Sequence, residues 1–248
     1  MKSLLEKQFE IDFSATNTEL QENVFTTNQS DNRFRYWARE EGSIVSYNNR
    51  IYVRTTNEQL TAELKSKYGS RQSAWLFEVP NLKDIEEILQ KYDVEITRMA
   101  PFFIPKKKLS EPVITDERFV FISKEEIPSF KYDTRIKEAF CYSKTDEDML
   151  GLGYYEQGEL KAVCGVNNTG QYVWEIGIEI LDNTLEGRGL ATQMLSLLTR
   201  KIQQEFPDIV PVYGTSFSHT KSMNVAINAD YKLAFSELML GKIKPSKQ

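Results

Sequence analysis

The chain has 248 residues, enough for one large domain or two small ones, and its 40% hydrophobic and 27% charged content is that of an ordinary globular protein. A formal net charge of -5 gives no electrostatic case for a nucleic-acid partner, which would need a basic face, and the one short basic run, Pro105 to Lys108, reads as solvated linker. Two cysteines without CxxC spacing (Cys141, Cys164) and a single histidine (His219) exclude a Cys/His zinc site, so no metal is expected and buried free thiols are. The N-terminal "MKSLLEKQFEIDF" lacks the apolar core of a signal peptide, and no run of about 18 apolar residues occurs, so a cytoplasmic protein without a membrane span is expected.

Residues 1 to 30 are polar after one short amphipathic stretch, and short helices are predicted there. Ser43 to Thr55 is two apolar-aromatic runs around Asn48-Asn49, the pattern of a β-hairpin. Asn57 to Gly69 has a polar cap, Leu60 and Leu64 at helical spacing and a glycine stop. A strand is predicted over Ala74 to Val79, a helix over Asn81 to Asp93 with Asn81 as its cap, and a strand from Val94 to Met99. Ala100 to Glu117, with three prolines, is the expected domain boundary, dividing an N-terminal α/β region (1–110) from a C-terminal domain (117–248).

Beyond the boundary the pattern reads strand (Arg118 to Ser123), helix (Asp133 to Ser143), then three strands over 149–156, 159–166 and 172–181. The joining Gln157-Gly158 and Asn167 to Gly170 are turn chemistry, which predicts an antiparallel meander. A helix follows over 190–206 with Leu190, Met194, Leu197, Leu198, Ile202 and Phe206 on one face. A strand over 209–217, a helix over 220–229 and a strand region over 231–243 complete the chain. A meander leading into a β-α-β crossover gives an α/β fold with a mixed sheet.

The segment "LEGRGLAT", Leu185 to Thr192, sits where a strand passes into a helix. A helix N-terminus presents backbone N–H groups without intrahelical partners and a partial positive charge. Gly187 and Gly189 let the backbone turn and approach a ligand, and Arg188 adds a cation. Together these make a phosphate cradle. The P-loop pattern GxxxxGK[ST] is absent, and a dinucleotide loop would not follow an antiparallel meander.

In this element order, Glu186-Gly187-Arg188-Gly189-Leu190-Ala191 resembles the Gln/Arg-x-x-Gly-x-Gly/Ala signature of the GNAT N-acetyltransferases. The segment His219 to Leu238 is similar to that family's Asn-x-x-Ser…Gly-Phe region, and the likeness spans residues 117 to 243. The whole chain also looks like the longer GNAT proteins with an extra N-terminal α/β half. The resemblance implies a GNAT-like fold, acetyl-CoA as cosubstrate and an amine acceptor, with no nucleic acid, no membrane and a homodimer left open. It implies that Gly187, Arg188, Gly189, Leu190, Ala191 and Thr192 hold the pyrophosphate. It further implies that backbone at Glu179, Ile180 and Leu181 bonds the pantetheine arm between two splayed parallel strands, and that His219 and Ser222 contact the cofactor. Three residues depart from the family pattern: Glu186 for Gln or Arg, His219 for Asn, and Ala226 where many members carry a general-acid Tyr.

Acetyl transfer to an amine needs a deprotonated amine near the thioester and a proton for the departing thiolate. Strand alternation puts Glu175, Gly177 and Glu179 on one face and Trp174, Ile176, Ile178 and Ile180 on the other, the core face. Glu175 falls where protein-acetylating members carry a general base; an ammonium anchor or a salt bridge is the alternative. For Glu179 a structural role leads. Tyr213 is the leading candidate donor to the thiolate, with Tyr231, Ser222 and His219 as rivals and plain aromatic packing as the alternative. The expectation is direct transfer to a primary amine, on a small molecule, in a ternary complex. Its competitor is a regulatory module that binds CoA without turnover.

Overall fold

The computed structural model describes residues 2–108 and 116–244. They fall into two compact units: an N-terminal unit of Leu5–Pro101 joined by the chain from Ala234 onward, and a central unit of Phe102–Leu233 joined by the first residues up to Leu4. The expected division at residues 100–117 therefore differs at the C-terminus. The last strand ends in the N-terminal unit because its residues Phe235 to Leu240 pair there. Of the expected linker, residues 109–115 lie outside the described ones.

The N-terminal unit begins with α1 (Lys2–Asp12), a 3-10 turn (Glu19–Gln21), β1 (Val24–Thr27) and α2 (Tyr36–Arg39). β2 (Gly42–Tyr47) and β3 (Arg50–Thr55) form the predicted hairpin, with Asn48 and Asn49 at φ 47° and 63° as a primed turn requires. α3 (Glu58–Tyr68) is capped as expected, the Asn57 side chain accepting from the Leu60 N–H at 3.1 Å. The strand predicted over Ala74 to Val79 is absent. Trp75 turns the chain at φ 68°, and α4 (Val79–Gln90) starts early because Pro80 fits the first turn, where no N–H partner is needed. Asn81 is consequently inside the helix, its amide donating to the Trp75 carbonyl at 2.8 Å. β4 (Val94–Pro105) runs well past the predicted end at Met99. β1 lies parallel to β3, and β2 pairs antiparallel with the final strand, β10 (Tyr231–Lys242). α3 and α4 bury Leu60, Leu64, Ile85 and Leu89 against Ile44, Val53, Leu238 and Leu240.

A second feature of this unit is electrostatic. The Arg35 guanidinium is buried between the carboxylates of Asp12 and Glu237, with Nη1 donating to Glu237 Oε2 at 2.7 Å. The Phe9 and Phe235 rings flank it at 5.1 and 5.0 Å. Burial pushes the Glu237 carboxyl above its usual range, and the guanidinium beside it opposes that shift.

The central unit carries the predicted meander. β5 (Phe119–Ser123), β6 (Asp148–Glu156), β7 (Glu159–Asn167) and β8 (Val173–Ile180) pair antiparallel in sequence order. Gln157 and Gly158 make the β6–β7 turn at φ 53° and 80°. α5 (Leu190–Glu205) then crosses to β9 (Val210–Gly214), which lies parallel to β8, and α6 (Thr220–Asn228) follows. The end of β4 pairs antiparallel with β9 through Phe102 and Phe103. The apolar face of α5 packs Leu190, Met194, Leu198 and Ile202 on Cys164, Trp174 and Ile176. Cys164 is fully buried, whereas Cys141, also expected inside, is exposed; both thiols are free.

The helix predicted over Asp133 to Ser143 does not form; turns and irregular backbone stand there. Its Ile136, Ala139 and Phe140 are buried against Ile122, Ile127 and Val163. Its amides are bonded elsewhere, to two carboxylates on the sheet.

Candidate active site

The parallel pair β8–β9 is registered only at Val173 with Val210, Trp174 with Pro211, and Glu175 with Val212. Past that point β8 continues to Ile180 paired on its β7 side alone, while β9 continues to Gly214 paired with β4. The two parallel strands therefore part after Glu175 and Val212, leaving a cleft edge of β8 backbone over Ile176–Ile180. Unpaired strand edges in a protein interior are sites where an extended ligand can take the place of a strand.

The glycine loop stands at the far end of β8. Asp182 accepts from the Thr184 N–H at 3.0 Å and closes a 3-10 turn over Asn183–Leu185. Gly187 and Gly189 then adopt φ 74° and 80°, and Gly189 is the N-cap of α5. Such backbone is cheap only for glycine. The cap position offers no side-chain hydrogen bond, and the first turn of α5 has no acidic residue. Residues 186–189 are exposed, and among the described residues the amides of Gly187, Arg188 and Gly189 have no backbone acceptor. The loop thus presents a row of open N–H donors at the positive end of a 16-residue helix. Leu190, Ala191 and Thr192 form the first turn of α5; Leu190 anchors it in the core and the other two are half-buried.

Glu186 turns away from this row. Its carboxylate accepts from Lys221 Nζ at 3.0 Å, which ties the loop to the first turn of α6. His219 is the N-cap of α6, exposed, with no side-chain cap bond. Ala226 is fully buried among Tyr213, Tyr231 and the residues of α5, so no acid group projects from that position.

Tyr213 and Ser222, expected in separate roles, bond each other: the phenol oxygen lies 2.8 Å from Ser222 Oγ. Both are buried, and burial pushes the Tyr213 phenol above its usual range. Tyr231, a rival donor, is likewise buried and bonded to Thr199. Cys164 is fully buried in the same core, its thiol pushed up by burial, and is not accessible as a nucleophile.

Glu175 lies on the opposite face of the sheet from Tyr213. A Cβ on Gly214 would fall 2.6 Å from Glu175 Oε1 and 2.8 Å from the Phe102 ring. The carboxylate thus occupies the space that glycine leaves open at the end of β9. On the same face, the backbone of Glu138 and Ala139 lies directly over Gly177, and the Glu179 side chain accepts from the amides of Lys137, Glu138 and Ala139. The Glu179 side chain is therefore engaged with that segment, and Leu181 donates its N–H to the Lys161 carbonyl at 2.8 Å. The Glu179 side chain takes the structural part expected of it, while Leu181 is paired to β7 through its N–H, and β8 backbone up to Ile180 remains on the cleft side. The segment over Gly177 was missed because its anchors are about 40 positions distant, a separation that no local pattern encodes.

Among the described residues no group of His, Cys, Asp and Glu side chains could hold a metal ion, and no helix is long and apolar enough to cross a membrane.

The chain is similar to solved structures of GNAT-family proteins. One, from Novosphingobium aromaticivorans, is 16% identical with a TM-score of 0.45, over 60% of this chain and 68% of that one. A GCN5-related N-acetyltransferase from Kribbella flavida is 13% identical with a TM-score of 0.43, over 64% of this chain and 63% of its own. A tandem GNAT protein from the clavulanic acid biosynthesis pathway is 9% identical with a TM-score of 0.45, over 65% of this chain and 59% of its own. No protein-family model matches the chain, and no curated protein does.

Proposed function

We propose that the protein is an acetyl-CoA-dependent N-acetyltransferase that moves an acetyl group to a primary amine by direct attack in a ternary complex. The observation that carries this reading is the parting of β8 and β9 after Glu175 and Val212, with the open amides of the glycine loop at the far end of the same strand. In this reading the amides from Gly187 to Thr192 and the Arg188 side chain bind the pyrophosphate. The pantetheine arm lies along the β8 edge and bonds backbone between Ile176 and Ile180. His219 and Ser222 border the cofactor from the start of α6. The ion pair of Glu186 with Lys221 supports the reading, since a lysine beside that carboxylate offsets its charge near the phosphates.

The thioester then sits where the strands part, between two groups on opposite faces. Glu175 takes the proton of the incoming ammonium, directly or through water, and the neutral amine attacks the carbonyl carbon. As the tetrahedral adduct collapses, the thiolate leaves toward the α6 side and takes a proton from the Tyr213 phenol, which is bonded to Ser222, and the proton lost by the adduct's nitrogen passes through water to restore the phenol. An acyl-cysteine route has no support, since Cys164 is buried beneath α5. The acceptor is a small molecule in this reading, with a protein lysine as the other source of the same chemistry.

The competing reading, a module that binds CoA without turnover, is separated by one pair of measurements. Calorimetry with acetyl-CoA tests the loop and cleft, and thiol release in the presence of spermidine, kanamycin or a lysine-containing peptide tests transfer. Binding with release on any of the three supports the enzyme. Binding with none supports the module, and absence of binding overturns both. With an active amine in hand, Glu175→Gln lowers turnover about 10²–10⁴-fold while acetyl-CoA affinity holds. A variant with the wild-type pH–rate profile removes Glu175 as base.

A further inference from the structure

Three glycines stand side by side across the meander: Gly151 on β6 faces Gly165 on β7, which faces Gly177 on β8. Each leaves room that a neighbour fills. A Cβ on Gly151 would meet the Phe140 ring at 2.8 Å, one on Gly165 the Ala139 carbonyl oxygen at 2.1 Å, and one on Gly177 the Glu138 carbonyl oxygen at 1.8 Å. Segment 138–140 is thus laid flat on the sheet along a trough made by three missing side chains. Its amides are held from the strands as well. Glu179 on β8 accepts from Lys137 at 2.5 Å, from Glu138, and from Ala139 at 3.0 Å. Asp148 on β6 accepts from Cys141 at 3.0 Å and Tyr142 at 2.9 Å.

We propose that Glu179 is a positioning residue for the acceptor side of the site, acting through segment 137–139, which it fixes as the wall beside Glu175. The inference rests on the acetyltransferase reading above. Alternation places Glu175, Gly177 and Glu179 on one face of β8, so the pinned backbone over Gly177 lies about 7 Å along the strand from Glu175. It closes the face on that side, and Phe102 and Gly214 border the carboxylate on the other. An amine reaching Glu175 is therefore confined between a fixed peptide wall and an aromatic ring. Without the clamp the wall keeps its side-chain packing and the Asp148 bonds at Cys141 and Tyr142, but the amides of 137–139 are released and the acceptor loses that boundary.

The test compares wild type, Glu179→Gln and Gly177→Ala. Glutamine offers one acceptor oxygen and sets an NH₂ against the remaining amides; the added methyl lifts the segment without altering any carboxylate. The probes are spermidine, kanamycin and a lysine-containing peptide, with acetyl-CoA calorimetry and amide hydrogen exchange over 136–142. Both variants are expected to speed exchange at Lys137 to Ala139 and to raise KM for the active amine roughly tenfold or more, a larger change than that in acetyl-CoA affinity. Glu179→Asp, which keeps two acceptor oxygens on a shorter stem, recovers part of the KM. Faster exchange with unchanged amine kinetics overturns the positioning role, and unchanged exchange overturns the clamp. If Glu179→Gln does not fold, Gly177→Ala decides between these outcomes. A wild type that binds acetyl-CoA but transfers to none of the three amines overturns the enzyme reading, and this inference with it.

Discussion

Gly189→Ala separates what the glycine loop does for the fold from what it does for the ligand. Gly189 has φ 80°, and no atom lies within 4 Å of where a Cβ would be. Alanine there meets no clash, so the stability cost is conformational alone, about 1–2 kcal/mol for an L-residue held in the left-handed region. For a chain of this size that lowers Tm by roughly 2–8 °C. Gly158, in the β6–β7 turn, is a matched control: it too has φ 80° and open space at its Cβ position. Gly158→Ala carries the same stability cost and stands outside the proposed cofactor path. The two variants part in calorimetry with CoA. A methyl group on the amide row of Gly189 keeps a phosphate oxygen from at least one N–H, and a hydrogen bond to a charged acceptor is worth about 1.5–3 kcal/mol. Gly189→Ala should therefore weaken CoA roughly tenfold or more, while Gly158→Ala leaves it within about twofold. Equal CoA affinity for the two variants refutes the cradle. Equal losses in both show that any strain in the central unit is felt at the site, and the loop has no special part.

Two further outcomes test other parts of the structure. Arg35→Met leaves Asp12 and Glu237, both wholly buried, without their guanidinium; it should cost about 3–5 kcal/mol in urea unfolding, and a wild-type midpoint would show that the pair is not buried as described. The Cys141 residue is exposed, but its thiol end is partly desolvated and donates to the Asp146 carbonyl at 2.8 Å, which leaves the thiol pushed up to about 11. The reactive thiolate is then scarce at neutral pH and grows as pH rises toward that value, so iodoacetamide at pH 8 should react roughly a hundredfold slower than with a free cysteine. A free-cysteine rate, followed by mass spectrometry, would contradict the desolvated setting.

What could be read from the sequence was what its own neighbours determine. The hairpin at Asn48-Asn49, the cap at Asn57, the meander turn at Gln157-Gly158 and the left-handed glycines before α5 all rest on bonds spanning a few residues. The strand predicted at Ala74 to Val79 is absent for a local reason present in the sequence: Pro80 favours a helix start over a continued strand. The helix predicted at Asp133 to Ser143 failed for a reason no window contains. Ile136, Ala139 and Phe140 have helical spacing because they are buried on one side, but the amides that a helix would satisfy internally are taken by Glu179 and Asp148.

The same distinction governs the site. Alternation alone put Glu175 and Glu179 on one face, and that was right. It could not show that Glu179 is committed to a segment about 40 residues earlier while Glu175 is set against Gly214. Nor could it show that Tyr213 and Ser222 bond each other, or that Glu186, the residue most at odds with an anion cradle, is drawn off by Lys221. These pairings sort the candidate residues. Glu179 bonds backbone amides and Ser222 bonds Tyr213, whereas Glu175 is set against Gly214 and the loop amides stand open at the start of α5. In the proposed reaction the base stands on one face of the sheet and the acid on the other, with the thioester between β8 and β9. Two groups so placed would each serve one proton transfer of the proposed direct attack.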